Sequence, residues 1–403
     1  MGNLPAGSTD RWLHIGSSLS SDAAQAGAQA ASDALAGQQA RLLLVFCSAT
    51  YDVAALLDGV CSVAPKDLPI VGGTTNGEIA VEGSQLPRMG HVPGVVAIAL
   101  GGPGFTVNTV LSCSASADRR EAGAAAASAM ATIEAPFKAL MMIADGLTRE
   151  QHELVRGAYS VLGLEVPIVG GCTGDDLDYE RTHQFHGTGA GVRVFADSVV
   201  GIGLGSTAPI GIGLAHGWVK QGDAMVVTRS EVGEVFLLDD EPALDVYLRR
   251  IGATRALVDD PQLFRDVAFQ NPLGMLRRSG EDIRVVHAAV PERDSLLCLA
   301  DVPQGALVWT MSTDIDALVQ AASDSCAMAL EGLGGAAPRG LLVFDCGARK
   351  LKLGQENLAV EQAAMARRVD GAPIGGFYTY GEIGRTHGSR GMHHLTVVTL
   401  ALA

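Results

Sequence analysis

RLLLVFCSATYD (residues 41–52), KALMMIADGLTR (138–149) and RGLLVFDCGARK (339–350) share one form, and reading that form decides the fold. Each starts on a basic residue, continues as an unbroken apolar run and stops at a small or acidic residue. A run without alternation suits a strand covered on both faces, because a half-exposed strand alternates apolar with polar positions. Behind each lies a helix-compatible segment and then a Gly-containing stretch: PIVGGTTNGEI (69–79), PIVGGCTGDDL (167–177) and PIGGFYTYGEI (373–383). A further apolar run closes each unit: VVAIAL (95–100), VVGIGLG (199–205) and LTVVTLAL (395–402). The interval from run to Pro-Ile is longer in the third unit than in the other two. Each unit therefore reads as strand, helix, short strand, Gly-rich turn, strand.

Three widely spaced copies are unlike the short continuous repeats of a solenoid. They predict an α/β protein in which duplicated strand–helix–strand units form mixed sheets with helices on the faces, in two modules. The boundaries fall at 1–39 for a leader and helix, 40–238 and 240–388 for the modules, and 389–403 for a closing strand. Between the second and third units, EPALDVYLRRI (241–251) reads as helix. IRVVHAAV (283–290), SLLCLADV (295–302) and ALVWTM (306–311) read as strands. The segment 21–37 is an Ala-rich helix, with Ser20 or Ser21 as its cap and Gly37 as its end. The alternating glycines at 201, 203, 205, 211 and 213 are expected to let two strands pack closely.

The formal charge of -15 argues against partners that need a basic patch, so neither nucleic acid nor a membrane surface is expected. The seven cysteines form no CxxC pair, which excludes the common zinc, dithiol and c-type haem signatures. Several sit inside apolar runs as small hydrophobes, as expected of a reducing, cytoplasmic location. The start, MGNLPAGSTDRWLH, shows neither a basic n-region nor an apolar h-region, and no apolar run is long enough to span a bilayer. GxxxxGK[ST], HExxH and GxSxG are all missing, so P-loop, zincin and hydrolase-elbow chemistry are excluded.

The stretches 69–79 and 373–383 match best, sharing Pro, Ile, Gly, Thr and Gly-Glu at equal spacing. Strand-end turns of this kind offer backbone amides and side-chain polarity to a ligand, at the carboxyl ends of strands where α/β proteins bind them. Ser48, Thr75, Asn76 and Glu78 would line one half of such a site, with Asp145 at the end of the second run. Asp345, Cys346, Arg349, Thr379, Tyr380 and Glu382 would line the other. The plainer reading is that Gly72 and Gly375 serve turns needing positive φ, with Thr and Glu as caps. Cys346 could also serve a thiol-assisted hydrolase or transferase, provided His393 or His394 stands near it. Residues 172–186 are dense in metal-ligand types, but their spacing matches no standard site, and no metal is assigned. His287, in an apolar strand, is a candidate haem ligand beside His394.

At PIVGGTTNGEI, and above all at RGLLVFDCGARK with PIGGFYTYGEIG and HHLTVVTL, the chain resembles the FIST family of sensory domains. Phe344, Asp345, Cys346, Arg349 and Glu361 stand in that family's order before Pro373-Ile374 and Gly381-Glu382. The closing segment departs from it, with His393-His394-Leu395-Thr396 where an aromatic-His-Asn run is expected. The resemblance implies a non-enzymatic sensory module for signal transduction, its ligand an amino acid or similar metabolite. It also implies, as an alternative, a haem-containing nitric-oxide sensor working beside a histidine kinase. With no output motif in the sequence, the signal is expected to pass to a separate partner.

Overall fold

The computed structural model describes residues 10–81, 94–148, 150–277, 280–385 and 391–403, so the first nine residues of the expected leader lie outside the described residues. The chain forms two compact units. One comprises Met1–Ala215, Val319–Met392 and Val397–Ala403, and the other His216–Leu318 with His393–Thr396.

In the larger unit the three apolar runs are strands, Ala40–Ser48, Phe137–Ala144 and Gly340–Cys346, with nearly every residue buried. Each is followed by a helical crossover to a parallel neighbour: Pro69–Thr75, Ile168–Cys172 and Ile374–Thr379. The first two crossovers are single helices, Val53–Val63 and His152–Leu162. The third is two, Gly347–Leu353 and Gln355–Ala366, which accounts for its longer interval. Each closing run pairs antiparallel with its own central strand.

The units then exchange strands in a ring. Glu78–Val81, leaving the first unit, pairs antiparallel with Ile374–Thr379 of the third. Glu382–Arg385, leaving the third, pairs with Ile168–Cys172 of the second. Gln184–Thr188, leaving the second, pairs with Pro69–Thr75 of the first. Each parallel pair is thus covered on its outer side by an antiparallel strand from another unit.

The inner faces of the three sheets meet in one core, where Phe46 stacks on Phe377 at 4.3 Å and Phe344 meets the same ring edge-on at 5.6 Å. The outer face of the first sheet is covered by Ala23–Leu35 and Val53–Val63, and that of the second by Arg119–Ala127 and His152–Leu162. Two-sided cover explains why the runs are unbroken. The mixed α/β fold with helices on the sheet faces is thus as the sequence predicts.

Three local expectations are corrected. The paired glycines of Pro-Ile-x-Gly lie within strands, not in turns. A Cβ on Gly72, Gly170 or Gly376 would stand 1.7, 2.0 or 1.8 Å from the carbonyl oxygen of Val45, Met142 or Val343 on the parallel neighbour. The shared requirement is close approach; Gly170 also takes a positive φ, and in the first unit the positive φ sits at Gly77 in the turn beyond. Of the glycines of Ser198–Ser206 and Ile210–Ala215, Gly201, Gly203, Gly211 and Gly213 accept helical segments, while Gly205 lies against Thr106 of the neighbouring strand. A Cβ on Gly201 would meet Ala126 O at 2.1 Å, and one on Gly213 would meet Ser325 O at 2.0 Å. The first helix is capped by Asp22, whose carboxylate accepts from Gln25 N–H. The expected Ser20 instead donates to Gln25 Oε1, and the helix closes on left-handed Ala36 before Gly37. Asp wins because its carboxylate lies one residue before the helix and carries the charge a helix start favours.

The smaller unit is a sheet in the order Gly280–Arg284, Leu273–Arg277, Leu307–Ser312, Val219–Glu231, Glu234–Leu238, Ser295–Cys298, Val286–Val290. Ala243–Ile251 and Pro261–Phe269 pack on it through Tyr247 and Phe264. No helix of the described residues is long and apolar enough to cross a membrane.

Candidate functional site

The three parallel pairs end at similar positions: Ser48 beside Thr75, Cys346 beside Thr379, and Ala144 beside Cys172, just before Asp145 and Thr173. Three residues beyond each Thr stands an acid: Glu78, Asp176 and Glu382. In the first and third units the Thr hydroxyl donates to that acid, Thr75 to Glu78 at 2.7 Å and Thr379 to Glu382 at 2.6 Å. In the second the geometry differs. Thr173 donates to Ala144 O, and Asp176 turns away to accept from Ser48 Oγ at 2.6 Å and Ala49 N at 3.0 Å.

Main-chain bonds hold the ends together. Asn76 N–H donates to Tyr378 O, Tyr378 N–H to Gly77 O, Gly174 N–H to Thr74 O, and Tyr380 N–H to Cys172 O. Lys350, on the third unit's crossover, lies over the Tyr378 ring and donates to Asn76 O. Desolvation lowers its pKa, with Glu78 and Asp176 opposing that. Burial pushes Glu78 up to about 8, against the pull of Thr75 and Lys350.

Residues 175–181 cross these ends. The Asp175 carboxylate accepts from the amides of Tyr179, Glu180 and Arg181, and from the Tyr380 hydroxyl. Tyr179 stacks on Tyr380 at 4.7 Å. Leu177 N–H donates to Asn76 Oδ1, while Asn76 Nδ2, in a side chain 1% exposed, has no partner. Asp176, Leu177 and Tyr179 all take positive φ, at a cost of about 1–3 kcal/mol each for residues with a Cβ.

The third strand end carries a buried charge cluster. Arg349 reaches Asp345 Oδ1 and Glu361 Oε1 at 2.6 Å each, all three side chains being fully buried. Tyr378 OH donates to Glu361 Oε2. Two carboxyls share one guanidinium, and Asp345 Oδ2 has no donor. Burial raises both carboxyl pKa values, Asp345 raises that of Glu361 further, and Arg349 opposes the rise.

The expected site residues thus fall into linked groups. Ser48, Thr75 and Glu78 lie around Asp176. Asp345 and Arg349 share the cluster with Glu361, and Cys346 begins the following helix. Thr379 holds Glu382, and Tyr380 holds Asp175. Asp145 stands apart in role, its carboxylate accepting from the amides of Leu147, Thr148 and Asp197. Thr173, Asp175, Asp176, Lys350 and Tyr378 were not anticipated. A signal for the first existed, since Thr173 follows Pro167 at the spacing of Thr75 from Pro69. No cluster of three metal-ligating side chains occurs among the described residues, residues 172–186 included.

His287 and His394 belong to the smaller unit. His287 is the bulge between the Val286–Cys298 and Ala288–Leu297 pairs and is partly exposed, while His394 is buried.

The class defined here is a strand-exchanged α/β protein with a buried polar junction where its parallel strands end. The FIST N domain profile matches residues 41–241 and the FIST C domain profile residues 243–385, and the chain belongs to the FIST family. FIST domains are associated with signal transduction and small-ligand sensing. No curated protein matches the chain.

Proposed function

We propose that this protein is a non-enzymatic sensor that takes a small metabolite, an amino acid or a similar molecule, at the strand-end junction. The observation carrying this reading is the convergence of three similar strand ends, each furnished with polar side chains, on one set of main-chain bonds. Asn76 Nδ2, a buried donor without a partner there, supports it. Buried polar groups are normally satisfied, so such an atom is a place where a ligand or water gains a bond. Ligand binding would repack the crossing segment 175–181 and pass the change to a separate signalling partner such as a histidine kinase. A ligand shifts such an equilibrium only by binding the two states unequally.

The test is a thermal-shift panel of amino acids and related metabolites on the full chain, with calorimetry on any hit. Binding weakened by Thr75→Val and by Asn76→Ala, but untouched by His287→Ala in the smaller unit, is the expected result. Undiminished binding to both junction variants would put the ligand elsewhere.

A further inference from the structure

Residues 175–181 present carboxylates to a set of donors fixed on other elements. Ser48 Oγ–H and Ala49 N–H, at the end of the first strand, both point to Asp176 Oδ2. Tyr380 O–H, at the end of the third, points to Asp175. Asn76 holds Leu177 N–H with its carbonyl, and its amide nitrogen remains a buried donor without a partner. Lys350 lies close enough for Asp176 to raise its pKa. The fixed side of this contact therefore offers several donors and the Lys350 ammonium, with the Glu78 carboxyl beside it, and the crossing segment supplies the anions. Its backbone holds three residues with side chains in the left-handed region, a conformation that the tethers at both ends maintain.

We propose that Asp176, with Asp175, is an internal stand-in for an anionic ligand group: segment 175–181 is a strap whose carboxylates fill donors that an oxyanion-bearing small molecule takes when the strap lifts. This rests on the sensor reading and narrows it to ligands carrying a carboxylate or equivalent oxyanion. When the strap lifts, Ser48 Oγ–H, Ala49 N–H, Tyr380 O–H and Asn76 Nδ2 face the incoming group. A charged acceptor binds such donors more strongly than a neutral one. The same exchange releases the strap, coupling occupancy to a change in the surface it covers.

The experiment removes the stand-in and offers a free one. Full-length Asp176→Ala is melted in sodium acetate and in sodium chloride at equal ionic strength, and amide exchange at Ala49 is followed in both. Acetate is expected to raise the variant's Tm and slow Ala49 exchange about tenfold or more, the effect of one hydrogen bond to a charged group. Wild type, in which Asp176 already fills the Ser48 and Ala49 donors, and Ser48→Ala/Asp176→Ala, lacking the hydroxyl, should show no acetate-specific change. Equal behaviour of Asp176→Ala in both salts overturns the proposal. If that variant does not fold, Tyr380→Phe serves instead. Exchange should then rise about tenfold at Tyr179, Glu180 and Arg181 alone, and a uniform rise or none overturns the strap. Because no metabolite is added, failure here is distinct from failure of the sensor reading, which shows as an empty ligand panel on wild type.

Discussion

Arg349, in the helix Gly347–Leu353, lies 2.6 Å from Asp345 at the end of the preceding strand, and both side chains are wholly shielded from solvent. A second carboxyl, Glu361, holds the other end of the guanidinium at the same distance. A buried cation shared by two acids is a structural keystone, because its removal strands charge away from water. Arg349→Met should cost about 3–5 kcal/mol of stability at neutral pH. The loss should be smaller in mild acid, where both carboxyls can take protons. Urea unfolding at the two pH values checks this, and an equal loss at both would place the carboxyls' compensation elsewhere.

The same cluster predicts an inverted pH dependence. Glu361, Asp345 and Glu78 all have folded pKa values above their ordinary ones, because burial disfavours their charge. The folded state then binds more protons than the unfolded state, so stability falls as pH rises. The contribution is fully present below the ordinary carboxylate value of 4.5 and lost as pH climbs towards about 8, the folded value of Glu78. The urea midpoint should drop across that window, and Glu361→Gln should flatten the slope. A midpoint rising with pH would contradict the assignment.

Gly72→Ala and Gly376→Ala should each destabilise by about 1–3 kcal/mol or more, since each new Cβ would meet a carbonyl oxygen closer than 2 Å. Gly37→Ala is the control. No heavy atom lies within 4 Å there, and only its φ of 70° is unfavourable. Thermal melts of the three variants separate close approach from backbone conformation. A greater loss at Gly37 would reverse the argument.

Thiol labelling discriminates the sensor from a thiol enzyme. Cys113 is exposed and should react first. Cys47 and Cys172 are buried, with pKa values pushed up by desolvation and nearby acids, so they should react only on unfolding. Cys346, 6% exposed, is expected to behave like them. Iodoacetamide labelling of native protein, read by mass spectrometry, checks the order. Preferential labelling of Cys346 at neutral pH would favour catalysis.

How far the sequence could be read depended on whether a feature was local. Phe46, Ile143 and Phe344 sit in runs whose unbroken apolar character requires two covered faces, and the repeated Pro-Ile offset marks where each parallel partner begins. The pairing of Thr75 with Glu78, and of Thr379 with Glu382, spans three residues and was visible as a repeated pattern. The capping of the first helix was misplaced because Ser20, Ser21 and Asp22 are consecutive good caps, and only helix geometry chooses among them. By sequence the glycines of Pro-Ile-x-Gly fit turn positions, because glycine serves positive φ and close approach equally well. Distinguishing the two requires knowing that Val45 O lies against Gly72.

The amino-acid sequence alone determined the three strand–crossover units, their mixed α/β class and the family, because burial pattern and motif spacing act within a few tens of residues. The tertiary structure decided the ring of exchanged strands, the reach of Asp176 to Ser48 across 128 residues, and the partnership of Tyr380 with Asp175. Those contacts arise where the three sheets, each completed by a strand of another unit, close on one core. No local preference encodes which sheet an outgoing strand will join; the choice is made by the shared burial of Phe46, Phe344 and Phe377 at the centre.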